Sequence, residues 1–179
     1  TFSTPKSPNL LWHLHNGILP PQNNNNNNAT PSSLLLQPKV WLILIGTNDL
    51  FGARCSKEST LQGILQVAHY IKSQQPQAAI LIHGLLPRGE GKRGRQAMTL
   101  GNHWHDIQWI NQQLLAACQR QQQKGWYYMD TGHFFLNDKK DAINSRLMGD
   151  GVHPRISGMK GWGPMIVKAL HEILAKQKN

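Results

Sequence analysis

Two short stretches of this 179-residue chain bring together residue types that can do acid–base and acyl-transfer chemistry. In Asp150-Gly-Val-His153-Pro154 a carboxylate stands three residues before an imidazole. On a short loop or helical turn, that spacing lets the carboxylate accept from one ring nitrogen and fix the tautomer. The other nitrogen is then left as a general base. Far upstream, an apolar run is followed by Gly46-Thr47-Asn48-Asp49, and the Asn48 amide could donate to a developing oxyanion. Read alone, each stretch has a plainer alternative. The first could be a solvated acidic loop with a surface histidine, and the second a polar turn after a strand. Together they outline an ester-cleaving site, with Gly46, Thr47, Asp49 and His83 as candidates for its lining; for His83, which ends a buried strand, a satisfied core histidine is the favoured alternative.

The elements that would position these residues follow from hydropathy patterning. Val40 to Ile45 is a continuous apolar run ending at Gly46, the pattern of a buried parallel strand that delivers polar groups to its carboxyl edge. Ala78 to His83 is a second such strand, and Trp126 to Asp130 a third, rich in β-formers. Between them, the spacing of Leu61, Ile64, Leu65, Ala68 and Ile71 predicts a helix over about 58–73. Ile107, Ile110, Leu114, Ala117 and Cys118 predict another over 103–123. A short helix from an Asn9 cap to a Gly17 stop precedes them. Residues 131–149 read as a long loop. A closing helix, with Met159, Trp162, Ile166, Leu170 and Ile173 as its stripe, runs to about Lys176; Gly161, Gly163 and Pro164 obscure its start. Strands alternating with helices give an α/β class with a parallel sheet.

Composition excludes several alternatives. Two cysteines, Cys55 and Cys118, make no disulfide framework, and no run of eighteen apolar residues marks a transmembrane helix. The formal net charge of +10 invites a nucleic-acid reading. The basic residues are scattered, however, apart from the patch Arg88 to Arg95, and no aromatic-and-basic recognition module accompanies them. Nucleic acid is therefore not the expected partner. That patch reads as a solvated loop, with an anion or an acidic partner face as the alternative. Nine histidines offer no metal-ligand spacing. Gln22 to Ser33, with six consecutive asparagines, reads as a disordered insertion.

The arrangement of Gly46-Thr47-Asn48-Asp49 after a strand and Asp150-Gly-Val-His153-Pro154 before the last helix resembles the SGNH (GDSL) hydrolase superfamily. Asn48 matches the asparagine of its third motif block; Asp150 and His153 match the Asp-x-x-His of its fifth. Leu11-Trp12-His-Leu-His-Asn16-Gly17, Pro38-Lys39-Val40, Leu85-Leu86-Pro87-Arg88-Gly89-Glu90 and Ile110-Asn111-Gln-Gln-Leu114 resemble, in order, stretches of the platelet-activating-factor acetylhydrolase catalytic subunits. The resemblance implies a flavodoxin-like three-layer α/β/α sandwich that hydrolyses a small acyl ester, such as an acetyl ester of a lipid or carbohydrate, through a serine. Asp150 would orient His153, His153 would act as base, and Asn48 would hold the oxyanion. No metal or organic cofactor is implied. Likeness to those subunits would further imply a cytoplasmic protein able to dimerise.

One block of the pattern is missing. The family nucleophile sits in a Gly-Asp-Ser block on the first strand; no Gly-Asp-Ser occurs here, and Thr1 to Pro8 holds no glycine. Ser3, Ser7 and Ser157 stand in the wrong places to replace it. Residues 1–179 are thus expected to form a single N-terminally truncated domain without its first strand or strands, the nucleophile lying upstream. Such a piece would be inactive by itself and weakly stable. The alternative is a catalytically inactive SGNH-like binding or scaffold module.

Overall fold

In the computed structural model, residues 6–19, 38–90 and 98–177 are described. The Asn-rich stretch 22–33, Ser3, and residues 91–95 of the basic patch lie outside them. Within them, three strands form one parallel sheet in the order β1-β2-β3: β1, Val40–Ile43; β2, Ala79–His83; and β3, Trp126–Met129. Val40 pairs with Ala79 and Ile43 with Ile82; Ile80 pairs with Trp126 and His83 with Met129. Every residue of the central strand β2 is buried, which is why its sequence is apolar without alternation.

The first helix, α1, covers Ser7–His13 and continues as a π-helical turn, Leu14–Ile18. A short α2, Thr47–Phe51, follows β1. Helix α3, Lys57–Gln74, links β1 to β2, and α4, His103–Arg120, links β2 to β3. Ser56 caps α3 by accepting from the Ser59 amide at 3.1 Å. Both linking helices lie on one face of the sheet, as right-handed crossovers running in one direction require. There Ile64, Val67, Ile71, Ile107, Ile110 and Leu114 enclose Ile43, Ile80 and Ile82, with Leu14 of the first helix. Each such side chain contributes roughly 1.5–3 kcal/mol on burial. The last helix, α5, Ile156–Lys176, covers the other face, where Ile173, Ala169 and Leu170 meet Ala79 and Leu81. The result is a three-layer α/β/α arrangement.

Several boundaries differ from the sequence reading. Helix α1 begins at Ser7 rather than after Asn9, because Pro8 suits a first turn and the Asp49 carboxylate receives the Ser7 amide at 3.0 Å. Gly17 does not stop it; the chain widens into the π turn and passes through. Pairing of β1 ends at Ile43, so Leu44 and Ile45 extend beyond the ladder. After Gly46 the chain makes a short helix, Thr47–Phe51, that the sequence reading did not include. Gly46 sits at φ +122°, and a Cβ there would stand 2.8 Å from the Ile64 side chain, so backbone and packing both call for glycine.

The stretch 131–149 is not a loose loop. A 3-10 turn, Gly132–Phe135, and short antiparallel bridges fold it over a second core of Phe135, Leu136, Ile143, Met148 and Trp162. Helix α5 runs unbroken through its glycines and Pro164. A Cβ on Gly158 would lie 2.6 Å from the Leu147 carbonyl, so that glycine lets α5 press on the segment leading to Asp150. Met159, predicted for the buried stripe, is 51% exposed. Among the described residues β1 pairs on one side only, and Leu42 and Leu44 along it are partly exposed.

Candidate functional site

The Asp150–His153 loop is braced before any ligand is considered. Met148, two residues ahead, is fully buried, and the Arg155 amide donates to the Leu147 carbonyl at 2.7 Å. Gly151 accepts from the Gly89 amide at 2.8 Å, which ties this loop to the one leaving β2. Within it, Asp150 Oδ1 accepts from the amides of Val152 at 2.9 Å and His153 at 2.7 Å. Its Oδ2 stands 2.7 Å from His153 Nδ1. Burial alone would raise the Asp150 pKa. The His153 amide and ring and the Val152 amide outweigh it and hold the carboxylate well below its ordinary range. An ionised carboxylate only accepts, so Nδ1 carries the proton and Nε2 of the neutral ring keeps its lone pair. Both side chains are largely open to solvent.

His153 and Val152 line a cleft of about 450 Å³ that runs along the β1 edge left unpaired among the described residues. Gly46, Thr47 and Asn48 line the same cleft. Leu10, Leu14, Trp41, Leu42, Val67 and Ile71 make the rest of its wall apolar. The fold thus brings Asn48, at the carboxyl end of β1, to the same cleft as the Asp150–His153 pair, more than a hundred positions away in sequence.

Two of the predicted lining residues serve elsewhere. Asp49 is 4% exposed and turns away to hold the start of α1, accepting from the Ser7 amide and hydroxyl. His83 is 1% exposed. Its Nδ1 lies 2.6 Å from the Gly84 carbonyl and its Nε2 2.8 Å from Thr131 Oγ1, which also receives Trp162 Nε1 at 2.7 Å. The carbonyl can only accept, so Nδ1 carries the proton, Thr131 donates to Nε2, and the cluster joins β2, β3 and α5. Burial lowers the His83 pKa against smaller opposing effects of the Gly84 bond and Asp130. Neither residue lines the cleft.

Among the described residues, several serine hydroxyls are already engaged: Ser7 with Asp49, Ser56 with Ser59, Ser73 with Tyr70 and Ser157 with Arg146. None of these partners is His153. No group of three or more His, Cys, Asp or Glu among the described residues could hold a metal ion. No helix there is long and apolar enough to cross a membrane. The sequence reading placed Arg88 in a basic patch and in the Leu85–Glu90 stretch, without a contact for its side chain. In the structure its guanidinium lies over the Phe51 ring, 4.4 Å from the centroid. An aromatic three residues after Asn48 was the only sequence signal for that contact.

Residues 18–160 match the pattern of the GDSL-like lipase/acylhydrolase family. The chain is similar to the alpha2 subunit of platelet-activating factor acetylhydrolase IB from Gallus gallus, 37% identical over 82 residues. The Homo sapiens subunit is 35% identical over 82 residues. Each match covers 46% of this chain and 28% of the relative's length. In fold it is similar to a GDSL-like lipase from Bacteroides thetaiotaomicron, at TM-score 0.61 and 22% identity, over 75% of this chain and 63% of that one. It is also similar to a peptidoglycan O-acetylesterase, at TM-score 0.56 and 17% identity, over 77% and 38% of the two chains.

Proposed function

This chain belongs to the GDSL-like lipase/acylhydrolase family, and from that premise we propose that it supplies the base and oxyanion side of a serine esterase. The observation that carries the proposal is that His153, oriented through Nδ1 by Asp150, and Asn48 line a single cleft. A strand added parallel to β1 along its open edge would end at the same place, since all three strands present their carboxyl ends there. A serine at its end supplies the nucleophile.

In the reaction, Nε2 of His153 takes the serine proton as Oγ attacks the acyl carbon. The carbonyl oxygen gains negative charge and the Asn48 amide donates to it. Collapse of the tetrahedral species breaks the bond to the alcohol, which leaves with the proton from His153. Water, deprotonated by the same nitrogen, then cleaves the acyl-enzyme and restores the serine. A small acyl group, acetyl foremost, is the proposed substrate part. The chemistry needs no metal.

The test is the coding sequence ahead of the Thr1 codon, followed by assay of the longer polypeptide on acetyl esters. The expected result is an apolar strand ending in Gly-Asp-Ser and a turnover abolished by His153→Ala. Asn48→Ala should lower kcat by about 10²–10³. A different residue at the serine position overturns the esterase reading and leaves a non-catalytic binding module of the same fold; turnover indifferent to His153 overturns its role as the base.

A further inference from the structure

The Asp150–His153 loop is a closed turn whose base is set by α5. Met148 and Trp162 stand before and after it in sequence, and both are buried in the second core with Phe135. Between them, the Arg155 amide closes the base of the loop on the Leu147 carbonyl at 2.7 Å. Gly158, in the first turn of α5, presses on that same carbonyl. A shift of α5 along or about its axis therefore carries His153 with it.

Apolar packing resists such a shift poorly, because it is non-directional. Hydrogen bonds resist it better. At the far end of α5, Gln177 donates to the Lys39 carbonyl at 3.3 Å. Near its start, Trp162 Nε1 donates to Thr131 Oγ1 at 2.7 Å in a buried setting. Thr131 follows β3, and the backbone around it is held by Asp130, which accepts from the Gly132 amide, Asn111 Nδ2 and the Tyr128 hydroxyl. The Thr131 proton is committed to His83 Nε2 at 2.8 Å, since Nδ1 of that ring gives its own proton to the Gly84 carbonyl. Oγ1 is thus left to accept, and the series runs one way, from α5 through Thr131 to β2. Without the hydroxyl, the nearby acceptor for the Trp162 N–H is His83 Nε2, 3.4 Å away, and α5 would have to move to close that gap.

We propose that Thr131 is a positioning residue: its hydroxyl, aligned by His83, holds Trp162 and thereby sets where α5 places the Asp150–His153 pair. The coupling of this hydroxyl to the loop stands by itself; its effect on turnover rests on the esterase reading.

The test follows the His153 ring in residues 1–179 labelled with ¹⁵N-histidine, well above the ordinary histidine pKa of about 6.5. The two nitrogen shifts report the tautomer. Amide exchange at Val152 and His153, which both donate to Asp150, reports the hold on the loop. The native chain should show the Nδ1–H form. Thr131→Val keeps the shape and Trp162→Phe removes the N–H. Each should mix in the Nε2–H form and speed exchange at the two amides about fivefold, the scale of one lost hydrogen bond. Thr131→Ser should restore the native ring. Ile110→Val thins the core on the opposite face of the sheet and should leave the ring unchanged, which separates position from a plain loss of stability. An undisturbed ring and loop in both Thr131→Val and Trp162→Phe overturns the proposal, and so does an equal disturbance in Ile110→Val. If Thr131→Val does not fold, Trp162→Phe and Thr131→Ser decide by the same signs. In the longer, ester-cleaving polypeptide, Thr131→Val should lower kcat by about tenfold or more and leave KM nearly unchanged, since a misplacement of ~1 Å can cost on the order of 10²-fold. Thr131→Ser should recover it. A disturbed ring with kcat unchanged would sink the reading of His153 as the base. No turnover at all by the longer polypeptide would sink the esterase reading and leave the coupling of Thr131 to the loop standing.

Discussion

Asp150 meets its own loop with one oxygen and the His153 ring with the other, so the loop is shaped by the same carboxylate that orients the base. His83 shows the opposite use of an imidazole. It is sealed at the junction of β2, β3 and α5 and kept neutral by burial, below its ordinary value of 6.5. A depressed histidine pKa means that the unfolded chain takes up the proton first as pH falls. The stabilisation is complete above about pH 6.5 and is lost as pH drops toward the folded value, at up to ~1.4 kcal/mol per pH unit. Thermal melts between pH 7.5 and 5.5 should therefore show a stronger acid sensitivity in the native protein than in His83→Gln, although the variant starts lower. Parallel pH dependences would show that His83 does not couple to folding.

Among the elements, α1 depends most on a residue outside itself. Seven helical residues cannot sustain a helix alone, and Asp49, on α2, replaces a cap by holding the Ser7 amide and hydroxyl in a buried setting. Asp49→Ala should cost about 1–3 kcal/mol, the scale of a buried donor left without its acceptor. Urea unfolding would measure the loss, with amide exchange accelerating across 7–13. A change below about 0.5 kcal/mol, the scale of an ordinary surface substitution, would mean that α1 is held by its leucines alone. This contact explains a misreading. Asp49 sits beside Asn48 in sequence, and only the direction of the α2 turn sends it away from the cleft. The strands were legible as continuous apolar or β-forming runs, and the two linking helices by the helical period of their apolar stripes. The compact fold of 131–149 was not, since its core draws single residues, Phe135, Met148 and Trp162, from separate segments with no shared period. The Asp150–His153 pair was legible because it is local; the Arg88–Phe51 stack was hidden because it joins the end of α2 to the distant loop leaving β2.

At the scale of the whole molecule, its apolar surface is unevenly covered. Leu42 on β1, Leu44 just beyond it, and Met159 and Val167 on α5 are exposed, and the cleft follows the β1 edge that is unpaired among the described residues. A strand laid parallel to β1 would bury both leucines and satisfy the β1 backbone groups that face away from β2. It would also close the wall of the cleft while ending beside Asn48 and His153. Stability and activity should therefore arrive together. Residues 1–179 alone are expected to bind a hydrophobic dye such as ANS and to turn over a chromogenic acetyl ester no faster than their His153→Ala variant. A longer polypeptide that supplies the strand should exclude the dye and gain about 1–2 kcal/mol against urea from the two leucines alone, since each is already more than half buried. Dye exclusion together with His153-dependent turnover by residues 1–179 would refute the added strand. It would also place the nucleophile among residues of this chain.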